Sequence, residues 1–258
     1  MAKIHPSAII SPEAFIDPDE SVEIGPYTII EGKATIHKGC KIGPYVHIQG
    51  YTEIGEGCRI FSGAIIGSIP QDLKYKGGKT YLKIGKRNTI REFVTINTGT
   101  SEGESTTIGD DNLFMAYVHI AHNCFIGNNV IIANGGTLAG HVVVDDFAII
   151  GGLVGIHQFC KIGKHSIIGG CSKITKDIIP YVVADGHPAV PCGVNKTGLK
   201  RREFSSEKIM HIEEIYKICF RSGLNVSEAI AELEKMEETE ERNDIMGFIK
   251  ESSRGIAK

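Results

Sequence analysis

From Ile24 to Ile174 every sixth residue is aliphatic or Phe, and only Asp72, Gly78 and Glu102 interrupt the column. Twenty-three of its twenty-six positions fit; twenty are Ile, and Phe114, Leu138 and Val144 complete the set. A helix brings side chains to one face at spacings of three and four, and a lone strand at two, so neither yields a period of six. Six residues make one short flat strand plus a corner. Three such hexads form a triangular turn of about eighteen residues, and stacked turns form a parallel β-helix. A single coil buries too little to offset the ordering of its backbone; neighbouring coils must supply the difference, and the ends need caps.

Ile4, Ile10, Ile16 and Val22 keep the period but lie two residues out of phase, which predicts a short insertion or bulge near Glu20 to Glu23. Residues 68–83 and 97–107 leave the pattern and both resume in phase. They read as excursions from a continuing helix, and long loops on a regular scaffold are where function concentrates. After Pro180 the period disappears, and Pro180, Pro188 and Pro191 mark an irregular passage. From Ser205 the spacing turns helical: Ile209, Ile212, Ile215, Tyr216 and Cys219 form one stripe before Gly223. Asn225 or Ser227 can cap a second helix through Met236, and Ile245 to Ile249 predicts a third. A disordered acidic tail would fit only residues 237–244. The expected architecture is mainly β, a parallel β-helix over residues 1–190 with a C-terminal α-helical domain over 191–258.

Composition adds compartment and charge. The 258 residues are 41% apolar and 23% charged, with net charge −3. There is no run of eighteen apolar residues and no charged-then-apolar leader, so a cytoplasmic protein without membrane insertion is expected. Seven Cys is an odd count. Cys40, Cys58, Cys124 and Cys160 each follow a column Ile by four, the step also occupied by Ala34, Ala64 and Ala148, so they read as small inward-facing hydrophobes. Residues 158–202 carry eight Lys/Arg against two Asp, a balance of +6, which suits an anionic ligand or partner. Nucleic acid is not expected, because aromatics are sparse and the domain as a whole is not basic.

Stacking at eighteen places residues 122, 140 and 158 one above another, about 4.8 Å apart per turn. His119, His122, His141 and His157 gather around that edge, four of the ten His in the chain. A positioned neutral imidazole can take a proton from an attacking hydroxyl. Gly140, without a Cβ, lets a carbonyl approach its N–H, as an oxyanion donor requires. Two other motifs are weaker. Gly99 to Gly103 matches G-x-S-x-G but, with no strand before it and no helix after it, lacks the setting of a nucleophile elbow and reads as coincidence. Gly77-Gly78-Lys79-Thr80 imitates the end of a P-loop, yet Leu73 stands where the first Gly is required.

The segments PQDLKY (Pro70 to Tyr75), HIAHNC (His119 to Cys124), LAGH (Leu138 to His141), HQFC (His157 to Cys160) and GLKRR (Gly198 to Arg202), in that order, resemble the UDP-N-acetylglucosamine O-acyltransferase family of hexapeptide-repeat enzymes. The resemblance spans essentially the whole chain. It implies a left-handed winding, which periodicity cannot supply since ordinary crossover connections are right-handed. It also implies a homotrimer with active sites between subunits. The implied reaction moves a (3R)-3-hydroxyacyl group from acyl carrier protein to the 3-hydroxyl of UDP-N-acetylglucosamine, the first step of lipid A synthesis, without metal or redox cofactor.

Carried over by position, the resemblance makes His122 the general base, Gly140 the oxyanion donor, and Asp72 a contact to the sugar or an orienter of the base. His119, His141 and His157 would line the site, with Gln158 and Asn195 near the nucleotide. Arg201 and Arg202 would meet the diphosphate, whose oxygens suit a guanidinium fork. Gly170 would set acyl-chain depth. Two positions depart from the family pattern. Asn123 follows the base where Asp is common, so a carboxylate that assists the imidazole is absent or supplied elsewhere; Thr197 stands where an acid often sits. The acyl length and the subunit that supplies Asp72 stay open. So do two alternatives: a 3-amino sugar acceptor, and a hexapeptide zinc lyase using His119, His122 and His141, whose imidazoles would have to converge within about 2.1 Å of one point. An acidic carrier protein would be drawn to the basic segment 158–202.

Overall fold

Each column residue is the inward-facing member of a short strand, usually of two residues, and all twenty-three are at most 3% exposed. The three interruptions, Asp72, Gly78 and Glu102, lie in loops outside the prism. The computed structural model describes every residue from Met1 to Lys258. Its strands form three faces of eleven, nine and eight strands; every pairing is parallel between strands one coil apart, except the last pairing of the first face, which is antiparallel. On the second face His119 lies beside Thr137 and Thr137 beside Gly155, so the coil there is eighteen residues.

Three coils are longer. Ile4 pairs with Ile24, so the offset of two is absorbed between strands Phe15–Ile16 and Glu23–Ile24. Val22 does not continue the outer-phase column; it fills the buried step two residues before a column Ile, like Ala34 and Cys40. Ile54 pairs with Ile84 and Ile84 with Ile108, giving coils of thirty and twenty-four residues. The excursions are shorter than the lost periodicity implied, 69–80 and 98–104, because Tyr81–Leu82 and Ser105–Thr106 already pair as strand. Both loops leave the corner between the second and third faces. Strand Thr95–Asn97 therefore does precede the G-x-S-x-G match, but strand Ser105–Ile108 follows it, and an elbow needs a helix there.

The corner turns hold one residue in the left-handed region, and bulky side chains take that place: Tyr27, Tyr45, Phe93, Tyr117, Phe147, Phe159. In Gly25-Pro26-Tyr27 and Gly43-Pro44-Tyr45, Pro presets the step before it. A left-handed L-residue costs about 1–2 kcal/mol. Ring stacking up the ridge offsets it, as where Tyr27 and Tyr45 lie 5.2 Å apart at 14°. Cys40, Cys58, Cys124 and Cys160 point inward as free, buried thiols, and burial pushes Cys124 up to about 12.

The passage after Pro180 is a hairpin, not irregular chain. Val182–Gly186 pairs in parallel with Ile167–Ile168 and antiparallel with Ala189–Val194. This last strand runs across the 190/191 boundary at which the helical domain was expected to begin. Four helices follow: α1 (Lys196–Arg201), α2 (Ser206–Phe220), α3 (Val226–Leu233) and α4 (Glu240–Glu251). The predicted stripe of α2 is the set it buries, and Asn225 caps α3 through a capping box with Glu228. Residues 237–244 are not a tail, since α4 starts within them behind an N-cap at Thr239. Segment 252–257 then returns to the third face. Ile256 bridges Asp177 in parallel, the Ala257 N–H donates to Asp177 O (2.9 Å), and Ser252 Oγ donates to the buried Asp177 carboxylate (2.6 Å).

Candidate active site

The corner between the second and third faces gathers the chemistry. Strand His119–Ile120 ends at it, and the turn that follows carries His122, only 7% exposed. The next coil sets Gly140 directly above: the His141 N–H donates to His122 O (3.0 Å), and a Cβ added to Gly140 would lie 2.5 Å from His122 Nε2. No larger residue fits. The Gly140 N–H has no backbone acceptor and stays available.

The two loops close on the same histidine. In loop 69–80, Asn97 Nδ2 donates to Ser68 Oγ (2.8 Å) and Ile69 O (3.0 Å), and Asp72 Oδ1 accepts from the Lys74 N–H (2.9 Å). These bonds leave Asp72 Oδ2 3.5 Å from His122 Nε2, so Asp72 reaches the imidazole from its own chain. In loop 98–104, Thr100 Oγ1 lies 2.6 Å from His122 Nδ1. Thr100, Asn123 and Glu104 form the other side of the imidazole, and sequence reasoning missed Thr100 and Glu104. Both lie in or beside the segment set aside as a chance motif; the signal available was that this excursion departs from the corner of His122.

The other histidines differ in setting. His119 Nδ1 is bonded to Thr95 Oγ1 (2.7 Å), and burial, then His122, lowers its pKa. His141 meets His122 edge-on at 5.3 Å and stacks on Phe159 at 4.7 Å; burial, then His122, lowers its pKa while Glu104 and Asp72 oppose. His157 is exposed and donates from Nδ1 to Gln158 O (3.1 Å), one coil higher. No three His, Cys, Asp or Glu side chains of the chain converge on a metal-sized point.

The remaining expected residues lie elsewhere on the prism. Gly170 is exposed on the corner between the first and second faces, where an added Cβ would make only ordinary contact, 3.5 Å from Gly152 O. Arg202 packs over Phe147 (5.0 Å) and donates to its carbonyl (3.1 Å) on the third corner, with Arg201 exposed beside it. Asn195, expected near the nucleotide, stands at the start of α1. It is 2% exposed; its Oδ1 caps α1 through the Gly198 N–H, and its Nδ2 donates to His165 O. The basic segment is also partly neutralised, because Lys161, Lys164 and Lys196 pair with Glu251, Asp244 and Glu213. Lys173, Lys176, Lys200 and Arg201 remain as its exposed cations.

Known proteins match over the whole length. Residues 177–257 fit the family model described as UDP-N-acetylglucosamine O-acyltransferase, domain 2, and residues 33–68 and 105–140 fit bacterial transferase hexapeptide repeats. An acyl-(acyl-carrier-protein)-UDP-N-acetylglucosamine O-acyltransferase of a Janthinobacterium strain is 51% identical, covering 100% of both chains. The structure of LpxA from Acinetobacter baumannii superposes with a TM-score of 0.96 at 43% identity, covering 100% of both chains. That of LpxA, a UDP-N-acetylglucosamine acyltransferase from Bacteroides fragilis, does so with 0.96 at 43%, covering 99% and 100%. The prism is thus a left-handed parallel β-helix with a small C-terminal helical region.

Proposed function

The chain belongs to the UDP-N-acetylglucosamine O-acyltransferase family, and from that premise we propose that His122 is the general base of its acyl transfer. The enzyme moves an acyl group from acyl carrier protein to UDP-N-acetylglucosamine, the first step of lipid A biosynthesis. Neither a zinc lyase nor a 3-amino acceptor is favoured, since its full-length relatives carry the O-acyltransferase name.

The observation that carries the assignment is the setting of His122 Nε2, flanked by the Asp72 carboxylate and by Gly140, whose N–H has no backbone acceptor. Nε2 takes the proton of the sugar 3-hydroxyl as its oxygen attacks the thioester carbonyl. Negative charge develops on the carbonyl oxygen, where the Gly140 N–H stabilises it. Collapse expels the carrier thiolate, which recovers the proton from the imidazolium. A thioester is already activated, so this chemistry calls on no cofactor. Asp72 contacts the sugar or orients the base, and His119, His141, His157 and Gln158 line the cleft.

One chain sets His122, Gly170 and Arg202 on three different corners. A homotrimer, in which the corners of neighbouring subunits face each other, would bring an acyl ruler at Gly170 and diphosphate ligands at Arg201 and Arg202 to the base of another copy. The division into a β-helix (1–190) and a helical domain (191–258) then has strand Ala189–Val194 as its join. No helix is long and apolar enough to cross a membrane, and a water-soluble carrier and a sugar nucleotide as substrates support a cytoplasmic location. The acidic carrier docks beside Lys173, Lys176, Lys200 and Arg201.

His122→Ala tests the base. Turnover is expected to fall about 10²–10⁴-fold with the fold intact by circular dichroism; retained turnover would move the role to another residue.

A further inference from the structure

Position 123 carries an amide beside the proposed base, and the structure shows what stands behind that amide. Asn123 Oδ1 lies 3.0 Å from His122 Nδ1 and accepts from the Thr100 N–H at 3.0 Å. Its Nδ2 donates to Glu104 Oε2 at 2.9 Å. A carboxylate only accepts and a backbone N–H only donates, so both neighbours force the same orientation of the carboxamide. The Thr100 hydroxyl, 2.6 Å from Nδ1, can donate or accept, whereas the Asn123 oxygen can only accept; Nδ1 therefore carries the proton, shared between the two, and the lone pair falls on Nε2, the atom that faces Gly140 and Asp72.

We propose that Glu104 is a positioning residue for the base, its negative charge relayed to His122 through the Asn123 carboxamide in place of a carboxylate adjacent to the imidazole. The inference rests on the reading of His122 as base. Glu104 is itself fixed, because the Ser101 N–H donates to it at 2.9 Å. Asn123 first, then Ser101, holds its carboxyl below the usual range, so it is charged at neutral pH. As Nε2 gains a proton, the new cation meets a polarised amide whose far end already holds an anion. The left-handed backbone of Asn123 (φ 59°) accounts for a small polar residue there, but not for a carboxylate within hydrogen-bond reach of its Nδ2. The other titratable groups around His122 act elsewhere. Asp72 faces Nε2, His119 is bonded to Thr95, His141 lies edge-on with Lys74 beyond it, and Glu102 is engaged by the Lys79 N–H.

The test uses the full-length enzyme with acyl carrier protein thioester and UDP-N-acetylglucosamine, following kcat, both KM values and the pH dependence of kcat/KM. Glu104→Gln should lower kcat roughly tenfold, leave both KM values unchanged and move the acid limb to lower pH, because the base loses a nearby anion. Asn123→Ala, which cuts the relay but leaves the loop carboxylate, should do the same. Adding Asn123→Asp to Glu104→Gln puts a carboxylate next to Nδ1 and should recover most of the lost kcat and return the limb. A loop anchor would instead raise KM and would not be rescued. Native kcat and limb in Glu104→Gln, raised KM, or failure of the double variant to recover would each overturn the relay. His122→Ala separates the two readings: if it stays active the base itself is wrong, whereas an inactive His122→Ala beside an unaffected Glu104→Gln removes only the relay.

Discussion

His141 and His165 occupy the same step of the same corner turn, both with φ 58°, on two different ridges of the prism. His165 lies between Phe147 (4.8 Å, 3°) and Tyr181 (5.6 Å, 12°), with Phe204 edge-on at 5.2 Å, and is 8% exposed. Burial, then Arg202 and Lys164, pushes its pKa down to about 4. His141 stacks on only one ring and faces His122, under two loops that bring Asp72 and Glu104. The backbone slot is identical, so the winding does not decide which histidine faces the proposed base. What is laid over the ridge decides: an apolar lid at the C-terminal end, or polar loops inserted at a corner.

The sharpest way to break this contrast is at the ridge of the proposed base. Gly140→Ala drives a methyl against the His122 ring and displaces the N–H, so kcat should fall about 10²–10³-fold. Turnover close to native would mean the two groups do not meet. On the silent ridge His165→Phe keeps the stack and removes a buried Nδ1 that has no partner. The sign follows from its depressed pKa: the unfolded imidazole binds a proton below about 6.5, the folded one only below about 4, so native stability drains away as pH falls through that window. The variant should lose on the order of 2 kcal/mol less between pH 7.5 and pH 4.5, read from urea midpoints; parallel profiles would show that His165 titrates freely. The smallest effect is expected at Thr100→Val, which removes one hydrogen bond to His122 Nδ1 and should lower kcat about fivefold with KM unchanged. A thousandfold loss would give Thr100 a direct part in proton transfer.

Much of this was legible because it is periodic. The buried column, the eighteen-residue stack of His122 under Gly140 and the stripe of α2 all follow from spacing alone. The hairpin at 182–194 did not, since three prolines mask a pairing whose partner strand, Ile167–Ile168, belongs to the coil before. Phe93 in a left-handed turn, without the Pro that precedes Tyr27, carries no local signal either; its stack on Tyr117 offsets a cost that Gly would avoid. Thr100 and Glu104 were hidden for a related reason. Their contacts to His122 and Asn123 cross 22 and 19 residues, and only the return path of the loop fixes them. The cap that Asn195 gives α1 was not read from the sequence either, because its other partner, His165 O, lies 30 residues away.

The rung closed by Asp177 bears on the order in which the protein is made. Upstream coils need only their predecessor to wind, so they can form while the ribosome is still adding residues. The buried carboxylate of Asp177 must wait for Ser252, which is polymerised 75 residues later. At ~5–20 residues per second that interval is roughly 4–15 s, during which a nascent prism carries an unfinished, water-accessible end that chaperones can hold until translation catches up.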